Sequence, residues 1–213
     1  MEFFFDRTTT RFVHAVEYMT RIVKDKKRGR PHSIRTNIKL CSRLRLPDPI
    51  LWWGRTLAFD ALIGNTDRHP ENWGFTIGRP GARGQAFEFA PAFDNGTSLG
   101  YEISDDALQR RSSPERVRRF VDKGLHHCGW DITEDSRGPH IAMCKQYCAE
   151  FPEARDAMKQ VIQYDPNRLS EILNLCASFD VGVAFSPERV RFVMALVETR
   201  RSLLTAAFGG EQQ

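Results

Sequence analysis

Asp67, His69, Asn72 and Asp94 are the residues whose types and spacing can do chemistry in this sequence. Two carboxylates and an amide carbonyl are hard oxygen donors, suited to a Mg²⁺ ion that keeps several waters and grips phosphates. A carboxylate beside such an ion can also take the proton of an attacking hydroxyl. The set therefore fits phosphoryl transfer, where the protein supplies positioning, metal ligands and one base. It also fits metal-dependent phosphoester hydrolysis, although such sites draw on further histidines. Of the others here, His126 and His127 are adjacent, and His14, His32 and His140 stand alone. The plainest alternative for Asp67, Asn72 and Asp94 is a set of Asx-turns in ordinary loops.

Two elements must position these residues. Asp48-Pro49 reads as an N-cap followed by a first-turn proline. After it Leu51, Trp52, Leu57, Phe59, Leu62 and Ile63 are apolar nearly all round, which predicts a buried helix. It ends at Gly64-Asn65, so Asp67 projects from a rigid platform. Trp73, Phe75 and Ile77 alternate with small or polar residues, as do Phe87 and Phe89, around the turn-rich stretch Gly78-Arg79-Pro80-Gly81-Ala82-Arg83-Gly84. That pattern predicts a β-hairpin. Antiparallel neighbours lie about 5 Å apart, so Asp94 should return beside Asn72 and near Asp67.

The flanks read as helical. Phe12, Val16, Met19 and Val23 recur at three- and four-residue spacing, predicting an amphipathic helix. Ser113-Pro114-Glu115 and Ser186-Pro187-Glu188 each set a capping hydroxyl before a proline and an acidic first turn. The second opens the longest periodic segment, with Val190, Val193, Met194, Val197, Leu203 and Leu204 on its apolar side. The predicted class is mainly α (α+β), a helical bundle with one β-hairpin beside the loop. The predicted organisation is one domain over 1–213: a helical platform (1–64), the loop, hairpin and metal-binding loop (65–103), and a helical subdomain (104–213).

Composition narrows the functional classes. With 41% hydrophobic and 27% charged residues, the 213-residue chain has the balance of an ordinary globular protein. No apolar run is long enough to cross a bilayer, so no membrane partner is expected. Glu2 and Asp6 bracket a short apolar patch unlike a signal peptide. Five cysteines without tight regular spacing predict reduced thiols and a cytoplasmic location. Net charge is +4, and Lys24, Lys26, Lys27, Arg28 and Arg30 crowd one short run, read as a solvated loop that also suits phosphate contact. His140, Cys144 and Cys148 fall at four-residue steps, but with no fourth ligand evident they read as a buried stripe rather than a zinc site.

Asn72 follows Asp67 by five residues, the spacing of a protein-kinase catalytic loop, and Asp94 stands where the aspartate of a D-F-G motif would stand. Asp67-Arg68-His69-Pro70-Glu71-Asn72 resembles the D-x-K-P-E-N loop of serine/threonine kinases, with His69 in place of lysine. Leu62-Ile63-Gly64-Asn65-Thr66-Asp67-Arg68-His69-Pro70-Glu71-Asn72-Trp73, together with Ala90-Pro91-Ala92-Phe93-Asp94-Asn95-Gly96-Thr97-Ser98-Leu99-Gly100, resembles the C-terminal lobe of HipA-like kinases. That family includes the toxin kinases of bacterial toxin–antitoxin pairs. The resemblance implies Mg²⁺ and ATP as cofactors, Asp67 as general base, and Asn72 and Asp94 as metal ligands. It makes His69 a structural or phosphate-facing loop residue, so that His69, Asn72 and Asp94 together form the cofactor-binding set. It implies serine or threonine of a cytoplasmic protein as substrate, and an antitoxin as partner, through which alone nucleic acid would be met. A D-R-H-x-x-N loop also occurs in phosphoinositide kinases, but Ala90-Pro91-Ala92-Phe93-Asp94 and Leu99-Gly100 favour the HipA-like branch.

A complete kinase also needs a glycine-rich loop, a strand lysine and its acidic partner ahead of the catalytic loop. The residues ahead of Asp67 read as helices. Gly78, Gly81 and Gly84 have glycine-loop spacing but fall in the hairpin turn, and Lys39 follows no glycine loop. The expectation is that the N-terminal nucleotide lobe is absent from this chain, because a separate polypeptide supplies it, because the gene is a truncated remnant, or because the chain is a fragment, a truncated or split gene being the most natural of these. The alternative is a catalytically inactive helical binding module of kinase ancestry.

Overall fold

The structure is a computed structural model that describes residues 5–22, 32–78, 87–132 and 137–209. In chain order its elements are β1 (Thr10–His14), α1 (Val16–Ile22), α2 (Ile34–Arg43), α3 (Pro49–Ile63), β2 (Gly74–Gly78), β3 (Phe87–Phe89), α4 (Asp105–Arg111) and α5 (Pro114–Asp122). There follow α6 (His140–Glu150), a 3₁₀ turn (Pro152–Ala154), α7 (Arg155–Val161), α8 (Pro166–Ala177) and α9 (Pro187–Phe208). The architecture is a helical bundle with a small antiparallel sheet, ordered β1-β2-β3.

α3 is the central rod, packed against α2, α6, α7 and α9. Its sequence is apolar on most sides, as a helix surrounded by neighbours must be. Trp53, Leu57, Ala58, Ala61 and Leu62 are buried, whereas Leu51, Trp52, Phe59 and Ile63 are half-buried. Trp52 lies toward the sheet, and its ring stacks on Phe89 with centroids 4.4 Å apart and planes 9° apart. Trp53 meets Trp73 edge to face at 4.9 Å. These contacts dock the hairpin on α3, offset-stacked and T-shaped pairs being the favoured aromatic geometries. Pro49 occupies the first turn as predicted, but Asp48 has φ 42° and makes no side-chain cap.

Two sequence expectations change near the N-terminus. Phe12 lies in β1 rather than in a helix, and α1 begins only at Val16. Phe12 is followed by two residues of strand because β1 pairs with β2 over the register Thr10↔Gly78 to His14↔Gly74. Local periodicity could not reveal a strand whose partner lies 60 residues away. The 1–64 platform is thus helical with one strand added. Val23, the basic run and the hairpin turn fall outside the described residues.

α9 buries Val190, Val193, Val197 and Leu204 from its predicted stripe, with Phe192, Leu196, Arg200 and Phe208 besides. Ser186 caps it by accepting from the Arg189 N–H at 3.2 Å. A second small core of Ile103, Leu108, Val117, Val121, Phe192 and Leu196 fixes α4 and α5 on α9. No helix among the described residues is long and apolar enough to cross a membrane.

Candidate active site

α3 stops at Gly64, whose φ of 70° is the left-handed helix cap that glycine adopts without strain. A Cβ there would also sit 2.5 Å from the Arg200 guanidinium. Asn65 follows, fully buried. Its Nδ2 donates to Asp60 Oδ1 at 3.0 Å, and its Oδ1 accepts from the Asp67 N–H at 3.1 Å and from Thr97 Oγ1 at 2.9 Å. One amide therefore ties helix, loop and the segment after Asp94 together. The loop is closed by Asn72, whose Nδ2 donates to the Asp67 carbonyl at 2.7 Å. That bond fixes the flip of the Asn72 amide and leaves its Oδ1 as the ligand-type atom.

Arg68 is the centre of the arrangement. It is 2% exposed and forms a bidentate pair with Asp60, Nε to Oδ2 at 3.1 Å and Nη2 to Oδ1 at 2.7 Å. Its Nη1 donates to the Asn72 carbonyl at 2.9 Å and to the Phe93 carbonyl at 2.5 Å, and its Nη2 donates to Asn95 Oδ1. The carbonyls of Asn72 and Phe93 thus share one nitrogen and can be no farther apart than those two bonds allow. Burial pushes the Asp60 carboxyl up, while the Arg68 fork and the Asn65 amide pull it back. Two charges are tolerated inside because every N–H of the guanidinium and both carboxylate oxygens have a directed partner.

Asp94 lies between two pinned neighbours, Phe93 and Asn95, and Ser98 Oγ donates to the Asn95 carbonyl at 2.6 Å. Its φ is 51°, a left-handed conformation that aspartate tolerates better than most residues. Its side chain is exposed to solvent. The hairpin delivers it: Phe75 pairs with Phe89, and the Ala90 N–H donates to the Gly74 carbonyl at 3.0 Å. The chain therefore re-enters with the Phe93 carbonyl beside that of Asn72, and both loops meet at Arg68.

His69 stands on the open side. The Glu71 N–H donates to its Nδ1 at 3.1 Å, so the neutral ring carries its proton on Nε2. That nitrogen lies 3.8 Å from Asp67 Oδ2, in reach of attraction but beyond a hydrogen bond. Behind it runs a file of histidines: His127 faces His69 with centroids 5.7 Å apart, and His32 Nδ1 lies 3.3 Å from His127 Nδ1. The Trp73 indole N–H donates to His32 Nε2 at 3.2 Å. Burial, then the neighbouring His127, His69 and Arg68, hold His32 well below the usual histidine range.

Several supports of the loop were not read from the sequence. β1 holds residues 70–73 from outside: His14 Nδ1–H donates to the Glu71 carbonyl at 2.8 Å, and the Ala15 and Val16 N–H groups donate to the Trp73 and Pro70 carbonyls. Beneath the loop His140 donates from Nε2 to the Asn65 carbonyl at 3.0 Å and accepts from Arg200 Nη1 at 3.1 Å. Arg200 also donates to the Ala61 carbonyl, and burial pushes it down to about 10. Cys144 donates weakly to the Leu57 carbonyl and Cys148 to Met158 Sδ, so the stripe is packing around a loop prop. Asp60 carried a legible signal: a carboxylate inside an otherwise apolar helix is almost never buried unpaired. Its partner, eight residues on, lay inside the motif.

No family model and no curated protein matches this chain. Among solved structures, the crystal structure of a Helicobacter pylori proinflammatory kinase, CtkA, is similar to it with a TM-score of 0.74 at 19% identity. The match covers 97% of this chain and 72% of that one, and it identifies the fold of this chain as a kinase fold.

Proposed function

We propose that this chain is the C-terminal lobe of a HipA-like kinase that transfers phosphate from Mg–ATP to a serine or threonine hydroxyl of a cytoplasmic protein. The observation that supports this most is the single buried guanidinium of Arg68, which links the Asp67–Asn72 loop to the Phe93–Asn95 loop. A hydrolase needs further metal-ligating histidines, whereas His14, His32 and His140 here are committed to loop and core hydrogen bonds.

The donor set fits Mg²⁺. Asn72 would offer Oδ1, its nitrogen being bound to Asp67, and Asp94 would offer a solvent-facing carboxylate. When bound, the ion neutralises charge on the β- and γ-phosphates. Asp67 has the role of general base, taking the proton of the attacking hydroxyl. Its backbone is fixed by Asn65 and Asn72 while its carboxylate is 40% exposed, an arrangement that leaves it open to a substrate. His69 Nε2 lies 3.8 Å from Asp67 Oδ2, placed to attract that carboxylate or to meet a transferring phosphoryl oxygen. Five free cysteines, four of them buried, suit a reducing cytoplasm. An antitoxin partner follows from the family resemblance alone.

A clamp for the α- and β-phosphates is not among the described residues ahead of the Asp67 loop. Among the described residues ahead of Asp67, the glycines are Gly54 and Gly64 on and at the end of α3, and the one lysine, Lys39, is exposed on α2. That same observation carries the second reading, a binding module that has lost transfer. Radiolabelled ATP separates the two. The chain alone should show no transfer and weak Mg–ATP binding. Fused to a kinase nucleotide lobe, it should label a serine-bearing protein, Asp67→Asn should abolish labelling, and Asp94→Asn should raise the Mg²⁺ needed. Failure of the fusion to label, with Mg–ATP bound, would favour the binding module.

A further inference from the structure

α4 and α5 meet at a cleft of about 480 Å³ whose cationic lining is Arg110, Arg111, Arg116, Arg119 and Lys123. No carboxylate lines it. Arg116, Arg119 and Lys123 recur at three- and four-residue steps along α5, opposite the buried Val117 and Val121. Arg110 and Arg111 come from the last turn of α4. Phe120 and Ala107, both half-buried, complete the lining.

Of the acids on α4 and α5, Asp106 and Glu115 stand one turn from Arg110 and Arg119 but form no ion pair with them, and the other two are engaged elsewhere. Asp122 pairs with Arg118, and Asp105 accepts from Arg189 Nε at 3.1 Å. Among the described residues none of the five cations takes part in an ion pair, and Arg116 Nη1 donates to the Arg110 carbonyl, which holds it beside the cleft. Five like charges around one concavity repel one another, and no carboxylate lines it to offset them.

We propose that this cleft docks a peptide segment carrying a phosphorylated serine or threonine. A phosphomonoester brings about two negative charges and three acceptor oxygens, enough for several guanidinium forks at once. A carboxylate fills only one fork. Recognition of phospho-motifs by arginine clusters is a recurrent mode of peptide binding. The apolar part of the lining gives the residues beside the phosphate something to pack on. Duplex DNA fits less well, because its phosphates line a broad convex backbone and call for charges spread along a surface rather than gathered inside a cleft. The inference does not depend on whether the chain transfers phosphate.

The test is fluorescence anisotropy of the full chain with labelled nine-residue peptides of degenerate sequence around a fixed central phosphoserine, at physiological salt. The same library with serine or glutamate at the centre, a duplex DNA of equal charge, and inorganic phosphate as competitor are the other arms. The phosphoserine library should bind at least tenfold tighter than either control library. The double variant Arg116→Gln, Arg119→Gln should lose that preference with an unchanged circular dichroism spectrum, while Arg168→Gln on α8 should keep it. Equal binding of the three libraries, tighter binding of DNA, displacement by inorganic phosphate at the concentration of the competing phosphopeptide, or full binding by the double variant would overturn the proposal.

Discussion

Arg68 and Asp60 lie under the Asp67 loop as a buried bidentate pair, with Asn65, Asn72, Phe93 and Asn95 saturating the atoms around them. Arg110, Arg111, Arg116, Arg119 and Lys123 stand around an open cleft with no carboxylate beside them. The first region removes charge from water and returns a directed partner for each polar atom, which holds two loops in register. The second leaves charge in water and unpaired, which does nothing for the fold. Buried and satisfied polarity holds two loops together in this molecule, while exposed and unpaired polarity is left open to solvent.

The sharpest way to break that contrast is to remove one member of the buried pair. Arg68→Ala leaves Asp60 buried with the Asn65 amide as its one remaining partner, and should cost about 3–5 kcal/mol in urea unfolding. A loss below about 1 kcal/mol would mean that water reaches Asp60 and that the pair is not the clamp described. The double replacement Asp60→Leu, Arg68→Met should recover much of the stability, since apolar residues of similar volume often replace a buried pair without loss. It should nevertheless loosen the Phe93–Asn95 loop, visible as faster amide exchange at Asn95.

Leu62→Ala tests the platform rather than the clamp. Leu62 is 6% exposed at the end of α3, and truncation should cost about 2–5 kcal/mol. A change under about half a kcal/mol would show that α3 does not fix the loop.

Acid should weaken the buried region alone. His126, 2% exposed and edge-on to His140, is lowered to about 3 by burial first, against the raising effect of the His140 backbone hydrogen bond. A histidine held neutral in the fold contributes nothing above its unfolded value of about 6.5. Below that pH the unfolded chain binds a proton that the folded chain refuses, so stability falls as pH falls, by about 1.4 kcal/mol per unit until the folded value is reached. The window for His126 is therefore pH ~6.5 down to about 3, and His32 and His140, also lowered by burial, add to the same slope. His126→Gln should remove about one proton from the slope of stability against pH between 6 and 4. An unchanged slope would show that this ring is protonated in the fold.

How much of this was legible follows from how local each signal is. Asp67, Asn72 and Asp94 could be found because five-residue spacing and a hairpin are short-range patterns, and α3 and α9 because their apolar residues recur within a turn. β1 could not, because Phe12 pairs with Thr76 across the chain and its short run fits a helix as well as a strand. His140 looked like a possible ligand at four-residue spacing from two cysteines. Its actual partners, the Asn65 carbonyl and Arg200, lie on other elements. Sequence spacing points to the candidate residues, while the residues that hold them come from pairings between distant segments.

The smallest expected effect is the most discriminating. Arg119 is exposed, unpaired and one of five cations around the cleft. Exposed substitutions away from caps, cores and networks change stability by about half a kcal/mol or less. Here the sign can be argued as well. Removing one of several clustered like charges relieves repulsion, so Arg119→Gln should leave the unfolding midpoint unchanged or raise it slightly, more at low salt than at high, since salt already screens exposed charges. Arg68→Ala should respond little to salt because its partner is buried. A clear destabilisation by Arg119→Gln would mean that the cleft is held together by an interaction of that guanidinium, which would erase the distinction between the two regions. A small stabilisation would instead mark the arginine cluster as a cost to the fold, kept for something that binds there.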